Sequence, residues 1–265
     1  MSKHPAPLRV SLVQSSLYWH DANANRAQFA EQLAGLAGKT DLIVLPEMFT
    51  TGFTMAAGEL AEQPDGPTAD WLRAQALRCG AAIAGSIIVE AGAGDYRNRL
   101  LLVTPQGGLS FYDKRHLFRM GGENRAFAAG SAHTVIAWRG LRIGLLVCYD
   151  LRFPVWSRRR AGFDYDLLLY VANWPQMRAN AWSQLLRARA IENQAFVIGV
   201  NRVGRDGHGV PYQGDSAAID FLGEPLVELG ADTSCETVSL DGQALAAFRE
   251  KFPAQLDADS FEILP

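Results

Sequence analysis

Leu145, Leu146 and Val147 make an apolar run that stops at Cys148, and the polar stretch after it leads into Pro154. A run of this kind fits a strand buried on both faces, which calls for a sheet covered by helices. Pro154 suits the first turn of a helix, where its missing N–H has no partner to lose. Residues 141–158 therefore read as strand, sharp turn and helix, with Cys148 in the turn. A thiol there faces unpaired backbone N–H groups and the positive end of a helix, which favour a thiolate and any oxyanion beside it. Inert packing is the commoner fate of a lone cysteine, so the reading of Cys148 depends on its company.

The rest of the chain supplies the surroundings. Leu8 to Gln14 reads as a first strand, and Asp21 to Gly38 as a helix with Phe29, Leu33 and Leu36 on one face. Asp41 to Leu45 is a buried strand that stops at Pro46-Glu47, followed by a long Gly-marked loop and a helix from Pro67 to Cys79. Ala81 to Glu90, Arg97 to Thr104 and Leu109 to Asp113 are hairpin-linked strands, the last running into Lys114 and a polar loop with Gly121, Gly122 and Glu123. Thr134 to Trp138 pairs with the strand before Cys148 around Arg139-Gly140. Leu167 to Ala172 is a strand ending at Asn173-Trp174-Pro175, residues 178–193 a helix, 195–201 a buried strand and 216–240 further strands. Hairpins interrupt the strand–helix alternation, so two mixed β-sheets packed face to face with helices outside are expected, an α/β (α+β) arrangement in four layers.

No linker, repeat or charge block divides the 265 residues, and one domain over 1–265 is expected. The formal net charge of −3 argues against a nucleic-acid partner. No run approaches membrane-spanning length, and the polar, Pro-bearing start from Met1 to Pro7 argues against a secretory signal. Cys79, Cys148 and Cys235 are odd in number and far apart, with neither CxxC nor zinc spacing. Free thiols in the cytoplasm are the expectation, with no metal.

Glu47, Lys114 and Cys148 each follow a strand, and strand carboxyl ends in helix-covered sheets commonly share one crevice. Together they form a usable set: the thiol attacks a carbonyl carbon, Glu47 takes and returns protons, and Lys114 with a backbone N–H after the cysteine stabilises the oxyanion. Taken singly, Glu47 could cap a loop and Lys114 could be a solvated turn lysine. His116 offers a Cys–His pair, but no third residue to orient it is evident, and a structural hydrogen bond is the better account of it.

Three segments then fall into a pattern: Leu45-Pro46-Glu47-Met48-Phe49, Tyr112-Asp113-Lys114-Arg115-His116-Leu117-Phe118 and Val147-Cys148-Tyr149-Asp150-Leu151-Arg152-Phe153-Pro154. In this order, with Val171-Ala172-Asn173-Trp174-Pro175 and residues 187–193 behind them, the chain resembles the nitrilase (carbon–nitrogen hydrolase) superfamily with its Glu-Lys-Cys triad. The resemblance implies a four-layer αββα sandwich, no metal or organic cofactor, and a second glutamate, for which Glu123 is the best-placed match. Cys-Tyr-Asp-Leu-Arg-Phe and the following Val155-Trp156-Ser157-Arg158 resemble the omega-amidase branch, whose members release ammonia from the terminal amide of 2-oxoglutaramate or 2-oxosuccinamate. Deaminated glutathione is the alternative substrate, and a non-enzymatic interaction scaffold the alternative role.

Such a substrate is neutral at its reacting end and anionic at the other. Arg152, four residues beyond Cys148, is placed to hold the carboxylate, with Tyr149, Trp174 and Arg178 as further wall candidates and an ion pair to Asp150 as the competing role of Arg152. The resemblance also implies a homodimer or larger homo-oligomer, with Trp182, Leu185 and Leu186 beside Arg187, Arg189 and Glu192 on helix 178–193 as the expected contact.

Overall fold

The computed structural model describes residues 6–263; the first five residues of the polar start lie outside the described residues. The chain first lays down β1 (Leu8–Gln14), β2 (Leu42–Val44), β3 (Ala82–Gly92), β4 (Asp95–Val103) and β5 (Leu109–Asp113). It continues with β6 (Val135–Trp138), β7 (Leu141–Val147), β8 (Leu167–Ala172), β9 (Phe196–Asn201), β10 (Val203–Arg205) and β11 (Pro211–Gln213). It closes with β12 (Ala217–Ile219), β13 (Pro225–Glu228) and β14 (Ser234–Leu240).

One sheet has the order β14-β1-β2-β3-β4-β5 and the other β13-β12-β9-β8-β7-β6, while β10 and β11 form a separate ribbon. Counted from β14 and from β6, the two sheets repeat one succession of pairings: antiparallel, parallel, parallel, antiparallel, antiparallel. Both are therefore mixed sheets, as their hairpins predict.

Side-chain alternation along the strands decides the layers. Leu42 and Val44 pack between the sheets with Leu8, Val10, Leu145 and Leu169. Ile43 and Leu45 point the other way, onto Phe29 and Leu33 of helix Ala22–Ala34 and Leu72 and Ala76 of helix Pro67–Cys79. Fully burying a residue of this size contributes about 1.5–3 kcal/mol, so a strand with both faces apolar is stable only under helices. Asp21 starts the first of these helices by accepting from Ala24 N at 2.9 Å. Helix Ala179–Asn193 covers the second sheet, and a Cβ on Gly199 of β9 would lie 2.7 Å from both Trp182 and Leu186, so the close approach needs glycine. The result is four layers, helices, sheet, sheet, helices.

Three sequence expectations need correction. Pro154 stands in the first turn of a helix as expected, but that helix is a single turn, Pro154–Ser157, and Arg152 lies before it, in a 3₁₀ turn over Cys148–Arg152. Pro154 keeps the two apart, because it holds Phe153 at φ −113°, ψ 90°, outside the helical region. Trp182 and Leu186 are buried within their own chain, Arg187 pairs with Glu228, and Arg189 pairs with Glu192. Trp182, Leu186 and Arg189 are thus part of the subunit's own packing, because helical spacing cannot distinguish burial under the same chain from burial under a partner, while Leu185, Arg187 and Glu192 stay partly exposed. The β10–β11 ribbon and helix Gly242–Lys251 were not anticipated at all.

Candidate active site

A cavity of about 550 Å³ is lined by Lys114, Cys148, Tyr149, Arg152, Asn173, Trp174 and Arg178, with aromatic and Met side chains around them. Strand ends supply the reactive groups. Glu47 follows β2, Lys114 follows β5 and Cys148 follows β7.

Cys148 sits at φ +44°, a left-handed conformation that costs a non-glycine residue roughly 1–2 kcal/mol. Asp150 over-determines the turn. Its buried carboxylate accepts from Val147 N (3.0 Å), Tyr112 Oη (2.7 Å) and His116 N (2.9 Å), and contacts His116 Nδ1 at 2.8 Å. The His116 ring stacks on Phe153 with centroids 3.7 Å apart. Asp150 thus orients His116, and the pair braces the turn.

Glu47, Lys114 and Glu123 form one buried network. Lys114 Nζ donates to Glu47 Oε1 at 2.9 Å and to Glu123 Oε1 and Oε2 at 2.9 and 2.8 Å, which occupies its three N–H groups. Asn98 Nδ2 bridges Glu47 Oε1 (2.8 Å) and Glu123 Oε1 (3.1 Å). Asn173 reaches in from the end of β8: its backbone N donates to Glu47 Oε2 at 2.8 Å and its Nδ2 to Glu47 O at 2.5 Å. Phe118 N donates to Glu123 Oε2 at 2.6 Å.

Burial works against the Lys114 ammonium, but the Glu123 and Glu47 carboxylates outweigh it and hold the lysine protonated far above ordinary working pH. For Glu123, burial raises the pKa, the Lys114 charge opposes it and the Glu47 charge adds to the rise. The Cys148 thiol is pushed well up, first by burial and then by the Glu47 carboxylate, with Lys114 opposing. This reverses the sequence expectation of a turn that favours thiolate. The resting group is a neutral thiol. Cys148 Sγ has Asn173 O as its hydrogen-bond acceptor, at 3.9 Å, and the Glu47 carboxylate is near enough for its charge to act on the thiol.

The remaining predicted residues gather on the cavity wall. Arg152 carries its guanidinium 4.9 Å from the centroid of the Trp174 ring. Arg178 lies 5.4 Å from the Phe118 ring and touches Met120 Sδ at 3.6 Å through Nη2. Neither arginine has a carboxylate partner among the described residues. Asp150 is occupied as described, so the pairing of Arg152 with Asp150 does not occur. No cluster of three or more His, Cys, Asp or Glu among the described residues is arranged to hold a metal ion, and no helix among them is long and apolar enough to cross a membrane.

Sequence reasoning missed Asn98, quoted Asn173 only as a motif letter, and weighed Asp150 only as a partner for Arg152. A signal for Asn98 existed: it shares the inward face of β4 with Leu100 and Leu102, where an amide has no place as packing.

An amidase working through a cysteine nucleophile is the class that this fold and site define. The carbon-nitrogen hydrolase family model matches residues 9–250. The chain belongs to the carbon–nitrogen hydrolase family. It is 51% identical over 259 residues to the omega-amidase YafV of Escherichia coli strain K12, covering 97% of this chain and 98% of that protein. It is 35% identical over 216 residues to the 2-oxoglutaramate amidase of Bacillus subtilis, covering 80% and 83%. A solved carbon–nitrogen hydrolase superfamily protein from Xanthomonas campestris, with an arsenic adduct in its active site, superposes with a TM-score of 0.94 at 52% identity over 97% of this chain and 99% of that one.

Proposed function

We propose that the protein is an omega-amidase that hydrolyses the terminal amide of 2-oxoglutaramate or 2-oxosuccinamate to the 2-oxo dicarboxylic acid and ammonia. The observation that carries this reading is Arg152, a cation without a carboxylate partner on the wall of the cavity that holds Cys148 and Lys114. It suits a substrate that is neutral where it reacts and anionic at its far end. The names of the Escherichia coli and Bacillus subtilis relatives support the same substrate class.

In the reaction, Cys148 Sγ attacks the amide carbon while its proton passes to Glu47. The oxyanion of the tetrahedral intermediate is stabilised by the Lys114 charge and the backbone N–H of Tyr149. Collapse returns the proton to the departing nitrogen, ammonia leaves, and a thioester remains on Cys148. Water then attacks, giving a proton to Glu47, which passes it back to the sulfur as the acid is released. Glu123 keeps Lys114 charged and in place throughout.

The test is a panel of 2-oxoglutaramate, 2-oxosuccinamate, deaminated glutathione and an uncharged aliphatic amide, read by ammonia release and by the mass of the acyl adduct on Cys148. The two small 2-oxo acid amides should show the highest kcat/KM. Preference for deaminated glutathione would move the protein to that branch, and a protein without adduct on any amide would be a scaffold.

We further propose a single hydrolase domain over 1–265 that works in the cytoplasm as a homodimer or larger assembly. Two observations support this: the described cysteines are all free, and Ile191 and Leu222 are more than half exposed where the turn at Gly223 meets Ile191. Light scattering across a dilution series giving only the 28.9 kDa monomer would refute the assembly.

A further inference from the structure

The two carboxylates of the buried network have unequal surroundings. Glu123 receives four N–H contacts, from Lys114 on both oxygens, from Asn98 on Oε1 and from Phe118 on Oε2. Glu47 receives Lys114 and Asn98 on Oε1 but only the Asn173 N–H on Oε2. A carboxylate oxygen has about two lone-pair sites, so Glu123 is saturated while Glu47 Oε2 keeps one site for a proton. Among the described residues, the only side chain besides Lys114 that hydrogen-bonds both carboxylates is Asn98.

Asn98 is tied to the lysine by the backbone as well. Lys114 N donates to Asn98 O at 3.0 Å, next to the Arg99–Asp113 step of the β4–β5 register, which sets the two residues side by side at the end of the sheet. The side chain is 1% exposed, and Asn98 Oδ1 is buried without a hydrogen-bond partner among the described residues. An unpaired buried acceptor is unfavourable, yet the opposite amide orientation would aim that oxygen at two carboxylate oxygens. The amide is therefore held for its two N–H groups.

We propose that Asn98 is a positioning residue for the reaction: its amide clamps Glu47 Oε1 and Glu123 Oε1 around Lys114 Nζ, and so turns Glu47 Oε2 to the thiol as the proton acceptor. This rests on the reading of Cys148 as nucleophile and Glu47 as base. It adds that a neutral double donor, which no apolar or acidic residue replaces, decides which carboxylate takes the proton.

The test uses the full-length Asn98→Leu variant, of similar volume without donors, and Asn98→Ser, with one. Alkylation of Cys148 by iodoacetamide is followed against pH, with Cys79 and Cys235 resolved by peptide mass. The readout is S-alkylation and needs no amide hydrolysis, so a wrong substrate assignment leaves it intact. Loss of two N–H donors makes both carboxylates easier to protonate, and the acid limb of the Cys148 profile should move up by about one pH unit in Asn98→Leu and by less in Asn98→Ser. On whichever amide the wild type hydrolyses, kcat should fall by about 10²-fold, the scale of a misplaced catalytic group, with KM within about threefold. An unmoved acid limb, or a raised KM at unchanged kcat, overturns the proposal. If Asn98→Leu does not fold, the same limb in Asn98→Ser decides it.

Discussion

Lys114 has three carboxylate oxygens within 2.9 Å, whereas Arg152, on the wall of the same cavity, lies over the face of Trp174 and has no carboxylate partner among the described residues. The first cation is fully buried and has its hydrogen-bonding capacity filled. The second is partly open and has no counter-charge. Satisfaction makes a rigid, preorganised centre whose charges do not need to rearrange when a transition state forms. An unpaired guanidinium beside an aromatic face is a standing attraction for an anion, and its partner arrives with the substrate. In the proposed reaction, the two treatments of positive charge separate chemistry from recognition within one cavity.

That contrast is most severely tested at the sulfur. Cys148→Ala should abolish ammonia release and acyl-enzyme formation, while leaving the melting temperature within a few degrees, because the turn is held by Asp150 and not by the thiol. Residual turnover above the uncatalysed rate would end the thioester mechanism. Lys114→Met comes next, with acylation slowed by roughly 10²–10³-fold or more, the scale of a lost oxyanion stabiliser. It should also destabilise the fold by about 3–5 kcal/mol, since two buried carboxylates lose their cation, and denaturant titration would measure this. A stable, fully active Lys114→Met protein would show that the paired cation does no chemistry.

Arg152→Met addresses the other side of the contrast. A hydrogen bond to a charged group contributes about 1.5–3 kcal/mol, so KM for 2-oxoglutaramate and 2-oxosuccinamate should rise about 10–100-fold. An uncharged aliphatic amide should be affected far less, and stability should not fall, because no partner is left unpaired. Equal losses on charged and neutral amides would make Arg152 a support of the nucleophile turn.

The paired half of the site was more legible in the sequence than the network that holds it. Glu47, Lys114 and Cys148 are readable because each stands just past an apolar strand, and their order along the chain resembles a known family. Asn98 lies within a strand, and its role arises only when β5 brings Lys114 beside it, a pairing that no local pattern contains. The thiol's protonation state was misread for a related reason: its pKa depends on burial and on Glu47, about a hundred residues away in sequence, and the helix that was expected to favour the thiolate is a single turn that starts only at Pro154. The layers were legible from the apolar runs and hairpins, because alternation assigns faces directly. The ribbon of β10 and β11 has three residues per strand and glycines around its turn, too short for any periodicity to show.

Arg178 gives the smallest and most discriminating effect. Like Arg152 it lines the cavity without a carboxylate, but its guanidinium reaches across to the exposed Met120, at the solvent edge, and not onto the buried Trp174. A charge so placed acts on an anion mainly through a screened field, which for exposed pairs contributes about 0–1 kcal/mol, or up to roughly fivefold in KM. Screening lengths shrink from about 10 Å at 0.1 M salt to about 3 Å at 1 M. The penalty of Arg178→Met on 2-oxoglutaramate should therefore fade as salt is raised, while that of Arg152→Met, set by direct hydrogen bonds against an aromatic wall, should persist. Steady-state KM measured for both variants over this salt range is the check. Equal, salt-insensitive losses would mean that both arginines grip the carboxylate directly, and the cavity would then have a two-point anion clamp in place of one binding residue and one guiding charge.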